Sequence, residues 1–168
     1  MRAAGLFADT LRAEGLLARV QRVEVRLYGA LSATGIGHGT DRAVVAALMG
    51  LQPDTVDPDA MAQAVDAVQL DARLPLAGGH DIAFDWQRDL RLMPVSLPWH
   101  PNALRLAAHG PTGVVLETTY YSIGGGFVVD ETQARAGEMG VLQVAIAHPF
   151  ASGERLLALC RQTGLDVA

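Results

Sequence analysis

The sequence predicts an α+β fold, a two-layer sandwich in which a mainly antiparallel or mixed sheet carries helices on one face. Two observations lead to this class: helical and extended patterns intermix along the chain, and at least one tight hairpin joins neighbouring extended runs. The chain has 168 residues, half of them apolar, which is enough to bury the core of one domain. We therefore expect a single domain over residues 1–168.

The first segment has a helical spacing of apolar residues, followed by the two-residue alternation of a strand. Leucines and Phe7 recur at helical spacing and predict an amphipathic helix, which Gly15 is positioned to end. From Val20 to Tyr28 apolar residues alternate with charged ones. This alternation predicts a strand with one face exposed to water.

The next segment predicts two helices behind a loop. The glycine-bearing stretch 29–37 is predicted to be the loop, and the apolar residues 42–49 predict the first of these helices. Thr40 or Asp41 is a natural N-cap for it, because a side-chain oxygen there accepts an unpaired N–H of the first turn. Residues 59–70 predict the other helix.

Residues 75–98 give weaker patterns. Two short apolar runs, 82–84 and 90–92, are separated by a polar patch at 85–89. We interpret this region as a strand pair or as an excursion from the sheet.

The second half of the chain predicts a hairpin followed by shorter elements. Residues 104–108 alternate, residues 109–113 have turn chemistry, and residues 114–121 form an extended run. Beyond them we predict strands over 127–130 and 141–147 and a helix over 152–163 that ends at Gly164.

Composition restricts the classes of function. Cys160 is the single cysteine, so the chain lacks the three or four thiolates of an iron–sulfur cluster, and we expect no metal site in it. No apolar run approaches the roughly 20 residues of a spanning helix, so we expect a cytoplasmic protein that does not enter the membrane. The net charge of −5 and the lack of a basic block argue against nucleic acid as a partner. Small molecules and proteins are the expected partners.

Three polar or glycine-rich clusters interrupt the apolar sequence. They are His38-Gly39-Thr40-Asp41, His100-Pro101-Asn102 and the Tyr-Tyr-Ser-Ile-Gly-Gly-Gly-Phe run at 120–127. Each lies where a predicted strand or helix begins or ends, and scaffolds hold chemical groups at such positions. The clusters therefore predict a functional site.

At these clusters the sequence resembles a known family, the beta-chain or amino-terminal domain of bacterial iron–sulfur L-serine dehydratases. The resemblance is carried by residues 35–43, 100–105 and 119–131 and by the closing 156–160 segment. It covers nearly the whole chain, with the motifs in matching order.

The resemblance implies an L-serine ammonia-lyase, which converts L-serine to pyruvate and ammonia with a 4Fe-4S cluster as Lewis acid. In this family the cluster cysteines belong to a larger alpha domain or chain, so we expect the present chain to be inactive alone and to work with that partner, L-serine and further copies of itself. Family members begin with a Ser-Ser-Ser-His-Thr stretch before the position of Met1, so we expect this chain to be truncated. The chain is also similar to the allosteric domain of some phosphoglycerate dehydrogenases, which leaves a regulatory amino-acid-binding module as the alternative.

Removing the α-proton of serine needs a base that titrates near neutral pH, and histidine is that side chain. His38 and His100 are the candidate bases, and His38, backed by Asp41, is the predicted catalytic pair. The fork of an arginine suits a carboxylate, and the backbone amides of a glycine run bind anions without crowding. The residues predicted to bind substrate are Thr40, His100, Asn102, Arg105, Ser122, Gly124, Gly125 and Gly126.

Each of these residues also has a structural interpretation. Thr40 and Asp41 serve equally well as a helix cap, and His100 beside a proline terminates a strand. A glycine triplet is more often a bend than an anion site. Arg105 alternates within a strand and is expected to face water if it has no role. A hydrolase based on Ser122 is disfavoured, because no Gly-x-Ser-x-Gly elbow surrounds it.

Overall fold

The computed structural model describes residues 1–137 and 148–166, and the predicted strand over 141–147 falls outside them. Within those ranges the α+β class is confirmed, with a mixed seven-stranded sheet and the longer helices of residues 1–71 on one face. The helices are α1 (Arg2–Ala13), α2 (Gly29–Ala33), α3 (Thr40–Leu48), α4 (Pro58–Asp71), α5 (Trp86–Asp89), α6 (Glu131–Arg135) and α7 (Gly153–Thr163). The strands are β1 (Arg22–Tyr28), β2 (Arg73–Leu76), β3 (His80–Ala83), β4 (Leu90–Met93), β5 (Asn102–Gly110), β6 (Gly113–Gly124) and β7 (Phe127–Asp130).

Strand β1 is central to the sheet, in which six strands have the order β2-β3-β1-β5-β6-β7. The seventh strand, β4, also pairs with β1. The predicted hairpin is β5–β6, and β7 adds a second antiparallel partner to β6. The two weak runs at 82–84 and 90–92 are both in or beside strands, but they do not pair with each other. Instead β3 and β4 both run parallel to β1, because the α5 turn between them carries the chain along the same edge of β1.

The main core lies between the sheet and helices α1, α3 and α4. Leu27, Leu104 and Tyr120 are paired across β1, β5 and β6, so their side chains share the face that the helices cover. Helix α1 contributes Phe7 and Leu11, which are fully buried, as its apolar spacing predicts. Of the described helices, none is long and apolar enough to cross a membrane.

Two predictions about the segment before α3 are wrong. Residues 29–37 are not all loop, because they include the short helix α2. The N-cap of α3 is Gly39, with φ 65°, and neither Thr40 nor Asp41 takes that position. Glycine accepts this left-handed conformation readily, which lets the chain turn sharply into the helix. Asp41 lies in the first turn, where its Oδ1 accepts the N–H of Arg42 at 2.8 Å.

The opposite face of the sheet carries buried carboxylates among arginines. Glu24 on β1 is only 7% exposed, and its Oε1 accepts from Nε of Arg26 at 2.7 Å. Asp89, at the end of α5, is fully buried and binds both Arg22 and Arg88. This face of β1 is charged, as its alternation predicts, but the prediction that it is exposed to water is wrong, because Glu24 is buried among arginines and no residue of β1 is exposed.

The stability of the fold is expected to fall as the pH is lowered. Burial raises the pKa of Glu24 and Asp89, but the hydrogen bonds and charges of the neighbouring arginines outweigh it, so both pKa values lie below the ordinary 4.5 and 3.8. The folded chain then binds fewer protons than the unfolded chain, so this stability is complete above about pH 5 and is lost as the pH falls through the folded pKa values.

Urea unfolding from neutral pH to about pH 3 measures this loss. The variant Asp89→Asn removes one titrating group and is expected to show a shallower fall in the urea midpoint. An equally steep fall in that variant would contradict the assignment to Asp89.

Candidate functional site

A cavity of about 170 Å³ opens on the helix-covered side of the sheet. On this measure a cavity needs about 10–15 Å³ to hold one water molecule, so this one admits a small organic ligand. Three of the predicted site residues line it, namely Thr40, Ser122 and Gly126. We call it the Thr40–Ser122 cavity. Its lining residues are Met1, Arg2, Ala3, Leu27, Leu31, Thr40, Val44, Leu104, Tyr120, Ser122, Gly126 and Val128.

Secondary structure fixes the polar groups of the cavity. Thr40 is the first residue of α3, and Ser122 lies near the end of β6. Successive strand residues point to opposite faces, so Ser122 shares the helix-covered face with Tyr120. Burial raises the pKa of the Tyr120 hydroxyl, and the charge of Asp130 raises it further, so this hydroxyl stays protonated at neutral pH. Three of the residues that line the cavity therefore carry hydroxyl groups, and most of the others are apolar.

The glycine triplet forms the turn between β6 and β7. Gly124, Gly125 and Gly126 all have positive φ, at 98°, 58° and 77°. An L side chain rarely adopts that conformation, so the composition of the turn follows from its geometry. This outcome agrees with the structural interpretation of the triplet as a bend. The same turn delivers Gly126 to the cavity wall.

The second motif is anchored to the start of α2. Ala30 donates its N–H to the carbonyl of Pro101 at 3.2 Å, and Gly29 forms a bridge with Asn102. Nδ1 of His100 accepts the backbone N–H of Asn102 at 3.1 Å. A ring nitrogen that accepts is unprotonated, so the neutral ring of His100 carries its proton on Nε2. The half-buried His100 therefore has Nε2 available as a donor.

The first motif, His38 to Asp41, follows the end of α2 in the chain. The N–H of His38 donates to the carbonyl of Thr34 at 3.0 Å, and the N–H of Thr40 donates to that of Gly35 at 2.8 Å. The side chain of His38 is exposed, whereas Asp41 is buried. In the part of the chain that the structure describes, no hydrogen bond joins these two side chains. Asp41 is therefore not positioned here to orient His38.

The predicted residues thus fall into three groups. Thr40, Ser122 and Gly126 line one cavity. The second group is close in sequence to these lining residues but does not line the cavity, and it consists of His38, Gly124 and Gly125. The third group is His100 and Asn102, which contacts with α2 hold at the same end of the sheet.

Arg105 belongs to none of these groups. It is paired with Thr119, one residue away from the row of Leu104 and Tyr120, so its side chain lies on the opposite face of the sheet. There its Nε donates to Oγ1 of Thr119 at 3.0 Å, and its guanidinium lies 5.9 Å from the centre of the Tyr28 ring. This placement separates Arg105 from the cavity, but its side chain is half-buried against Thr119 and Tyr28 and does not simply face water in the way that the structural interpretation expects.

Sequence reasoning missed two residues of the cavity that have polar side chains, Tyr120 and Arg2. Tyr120 lies two positions before Ser122, and strand alternation was a sufficient signal to place the two on one face. Arg2 gave no such signal, because a charged residue at the start of an amphipathic helix is ordinarily solvated. In the structure Nη1 of Arg2 donates to the carbonyl of Gly126 at 2.7 Å, across 124 positions of sequence.

The residues of this chain do not fit an iron–sulfur cluster. Such a cluster needs three or four thiolates, and the chain has Cys160 alone. The described residues also contain no group of three His, Cys, Asp or Glu side chains with the spacing of a metal site. Any cluster would have to be bound outside this chain.

The fold and the cavity together define an α+β domain with a candidate small-ligand site built from hydroxyls and a glycine turn. The chain belongs to the serine dehydratase beta chain family, whose model matches residues 1–133. This confirms the family that the three motifs predict.

Curated relatives agree with this assignment. The chain is 44% identical over 170 residues to the L-serine dehydratase of Streptomyces coelicolor and 41% identical over 169 residues to L-serine dehydratase 1 of Escherichia coli. It is 35% identical over 170 residues to the L-serine dehydratase of Mycobacterium tuberculosis. In each comparison all of this chain is matched, and it spans only 36–37% of the relative's length.

Proposed function

We propose that this chain completes the substrate site of an L-serine ammonia-lyase, which converts L-serine to pyruvate and ammonia. The observation that carries the proposal is the Thr40–Ser122 cavity, where the first and third motifs supply hydroxyls and a glycine turn to one small volume. The partner is a larger domain or chain that supplies the remaining chemistry, including the 4Fe-4S cluster that the family resemblance implies. The lone Cys160 supports placing that cluster in the partner.

The residues of this chain would bind and orient the amino acid. The hydroxyls of Thr40 and Ser122 both donate and accept, which suits the ammonium and carboxylate groups of serine. His38 is exposed and lies two residues before Thr40, so in this proposal it takes the α-proton of a serine held in the cavity. Nε2 of His100 supplies a further donor, and Asn102 is held next to it.

A chimera tests the proposal. The 168-residue chain replaces the matching segment of the Streptomyces coelicolor L-serine dehydratase, to which it is 44% identical. We expect the chimera to release pyruvate from L-serine, whereas the relative without that segment and the 168-residue chain alone release none. Robust pyruvate formation by the isolated chain would overturn the proposal.

Substitutions in the chimera test the residue roles. Ser122→Ala and Thr40→Val are expected to raise KM about tenfold, because each removes a hydrogen bond to a charged substrate group. His38→Ala is expected to lower kcat about a hundredfold if it is the general base. The matched control is His80→Ala, since the ring of His80 contacts the carbonyl of Val20 away from the cavity.

The same variants separate the two candidate functions. Unchanged turnover in the Ser122→Ala, Thr40→Val and His38→Ala variants, together with L-serine binding by the isolated chain, would favour the regulatory module instead.

A further inference from the structure

The lining of the Thr40–Ser122 cavity has a single charged side chain. Among the described residues that line it, Arg2 has the only charged side chain, and the other side chains are apolar, hydroxyl-bearing or those of glycine and alanine. The terminal amine of Met1 is the other cationic group of the lining, and burial lowers its pKa, which favours its neutral form. A ligand with a carboxylate must give up part of its hydration to enter, which is costly unless a cation meets the carboxylate inside. The cavity therefore has one side chain that matches a carboxylate in charge.

Arg2 is fixed at the edge of this cavity. Its Nη1 donates to the carbonyl of Gly126 at 2.7 Å, so the guanidinium is tied to the β6–β7 turn while the residue remains exposed. A guanidinium carries five N–H donors in a planar fork, and this bond uses one of them. The remaining donors match the two oxygens of a carboxylate, and a fixed fork loses little freedom when it binds one.

The charge of Arg2 is not neutralised within the described residues. Asp9 lines the adjacent cavity together with Arg2, but its Oδ1 is bound to Nη1 of Arg12 at 2.8 Å. No ion pair to Arg2 occurs in residues 1–137 or 148–166. An arginine that is held in place, partly exposed and without a counter-charge is suited to an anionic ligand group.

We propose that Arg2 binds the carboxylate of the small-molecule substrate and makes the Thr40–Ser122 cavity selective for carboxylate ligands. This inference rests on the proposed function, because it takes the cavity as the substrate site. It assigns the carboxylate to the Arg2 end, beside the Gly126 turn. The hydroxyls of Thr40 and Ser122 are then left for the other polar groups of the ligand.

Titrations of the isolated chain with three probes test the inference. L-serine carries all the polar groups, L-serinamide lacks the carboxylate, and propionate has the carboxylate alone. Binding is followed by the NMR shifts of the backbone amides of Ser122 and Gly126. We expect L-serine to bind at least about tenfold more tightly than L-serinamide, the range of a charge-assisted hydrogen bond.

Two arginine variants make the test specific. Arg2→Met is expected to weaken L-serine and propionate at least about tenfold and to leave L-serinamide unchanged, while Arg2→Lys retains part of the preference because it keeps the charge without the fork. Arg12→Met is the matched control on the same helix, since Arg12 contacts Asp9 and the carbonyl of Ala77 and does not line the cavity. Urea midpoints of all variants show that they remain folded.

The outcomes distinguish this inference from the proposed function. Equal binding of L-serine and L-serinamide, unchanged in Arg2→Met, overturns the role of Arg2 and leaves the lyase proposal standing. In another outcome, propionate binds in a way that depends on Arg2 while L-serine binds no more tightly than propionate. This result supports the role of Arg2 and contradicts L-serine as the substrate. Failure of both carboxylates to bind the wild-type chain overturns the inference.

Discussion

Gly29→Ala is expected to lower the free energy of unfolding by at least about 3 kcal/mol, the largest effect of a methyl group added at any glycine that the structure describes. A Cβ atom on Gly29 would overlap the carbonyl oxygen of Pro101 and lie 2.9 Å from Oγ of Ser96. The residue also has φ 53°, where an L side chain is strained. The backbone would have to separate from the 95–101 segment, which breaks the bond from Ala30 to Pro101.

The matched control is Gly39→Ala. Gly39 has a similar φ of 65°, but a Cβ there would meet nothing within 4 Å. It therefore isolates the conformational cost, about 1–2 kcal/mol. Urea unfolding of both variants gives the comparison. If Gly29→Ala is no less stable than Gly39→Ala, the close approach to Pro101 does not constrain this part of the fold.

Asp89→Ala is expected to destabilise the fold by about 2–4 kcal/mol, because it removes the fully buried carboxylate that binds Arg22 and Arg88. Asp89 Oδ2 also accepts the backbone N–H of Asp85 at 2.8 Å, and the substitution leaves that donor without its partner. The α5 turn and the start of β4 are expected to lose order first. Hydrogen exchange of residues 85–93 measures this local effect.

The control for Asp89→Ala is Glu131→Ala. Glu131 and Arg135 form an ion pair of 2.7 Å on α6, but their side chains are 36% and 66% exposed. Exposed pairs of this kind contribute between zero and about 1 kcal/mol. Similar losses of stability in the two variants would show that burial of Asp89 adds nothing to its interaction energy.

The parts of the fold with a clear period were predictable from sequence. The alternation before Tyr28, the helical spacing around Phe7 and the turn chemistry at 109–113 all correspond to elements of the structure. The parts that were not predictable depend on contacts between distant segments. Helix α2 exists because Gly29 allows the backbone to pass next to Pro101, and neither residue alone indicates this proximity.

The candidate site shows the same limit. Thr40, Ser122 and Gly126 were identified because they lie in polar motifs of an apolar sequence, and they do line one cavity. Arg105 was included for its chemistry, but strand parity puts it on the other face. Arg2 was omitted because its partner at Gly126 is supplied by the last hairpin of the sheet.

The bond between Arg2 and Gly126 also bears on how the protein is made. Helix α1 is synthesised first, yet the turn that it contacts follows 124 residues later. At roughly 5–20 residues per second, the ribosome needs on the order of ten seconds to deliver that turn. During this interval helix α1 can already pack against α3, its main neighbour, but its contacts with β5 and β6 are still missing, so its apolar side is only partly covered until translation passes residue 130 or so.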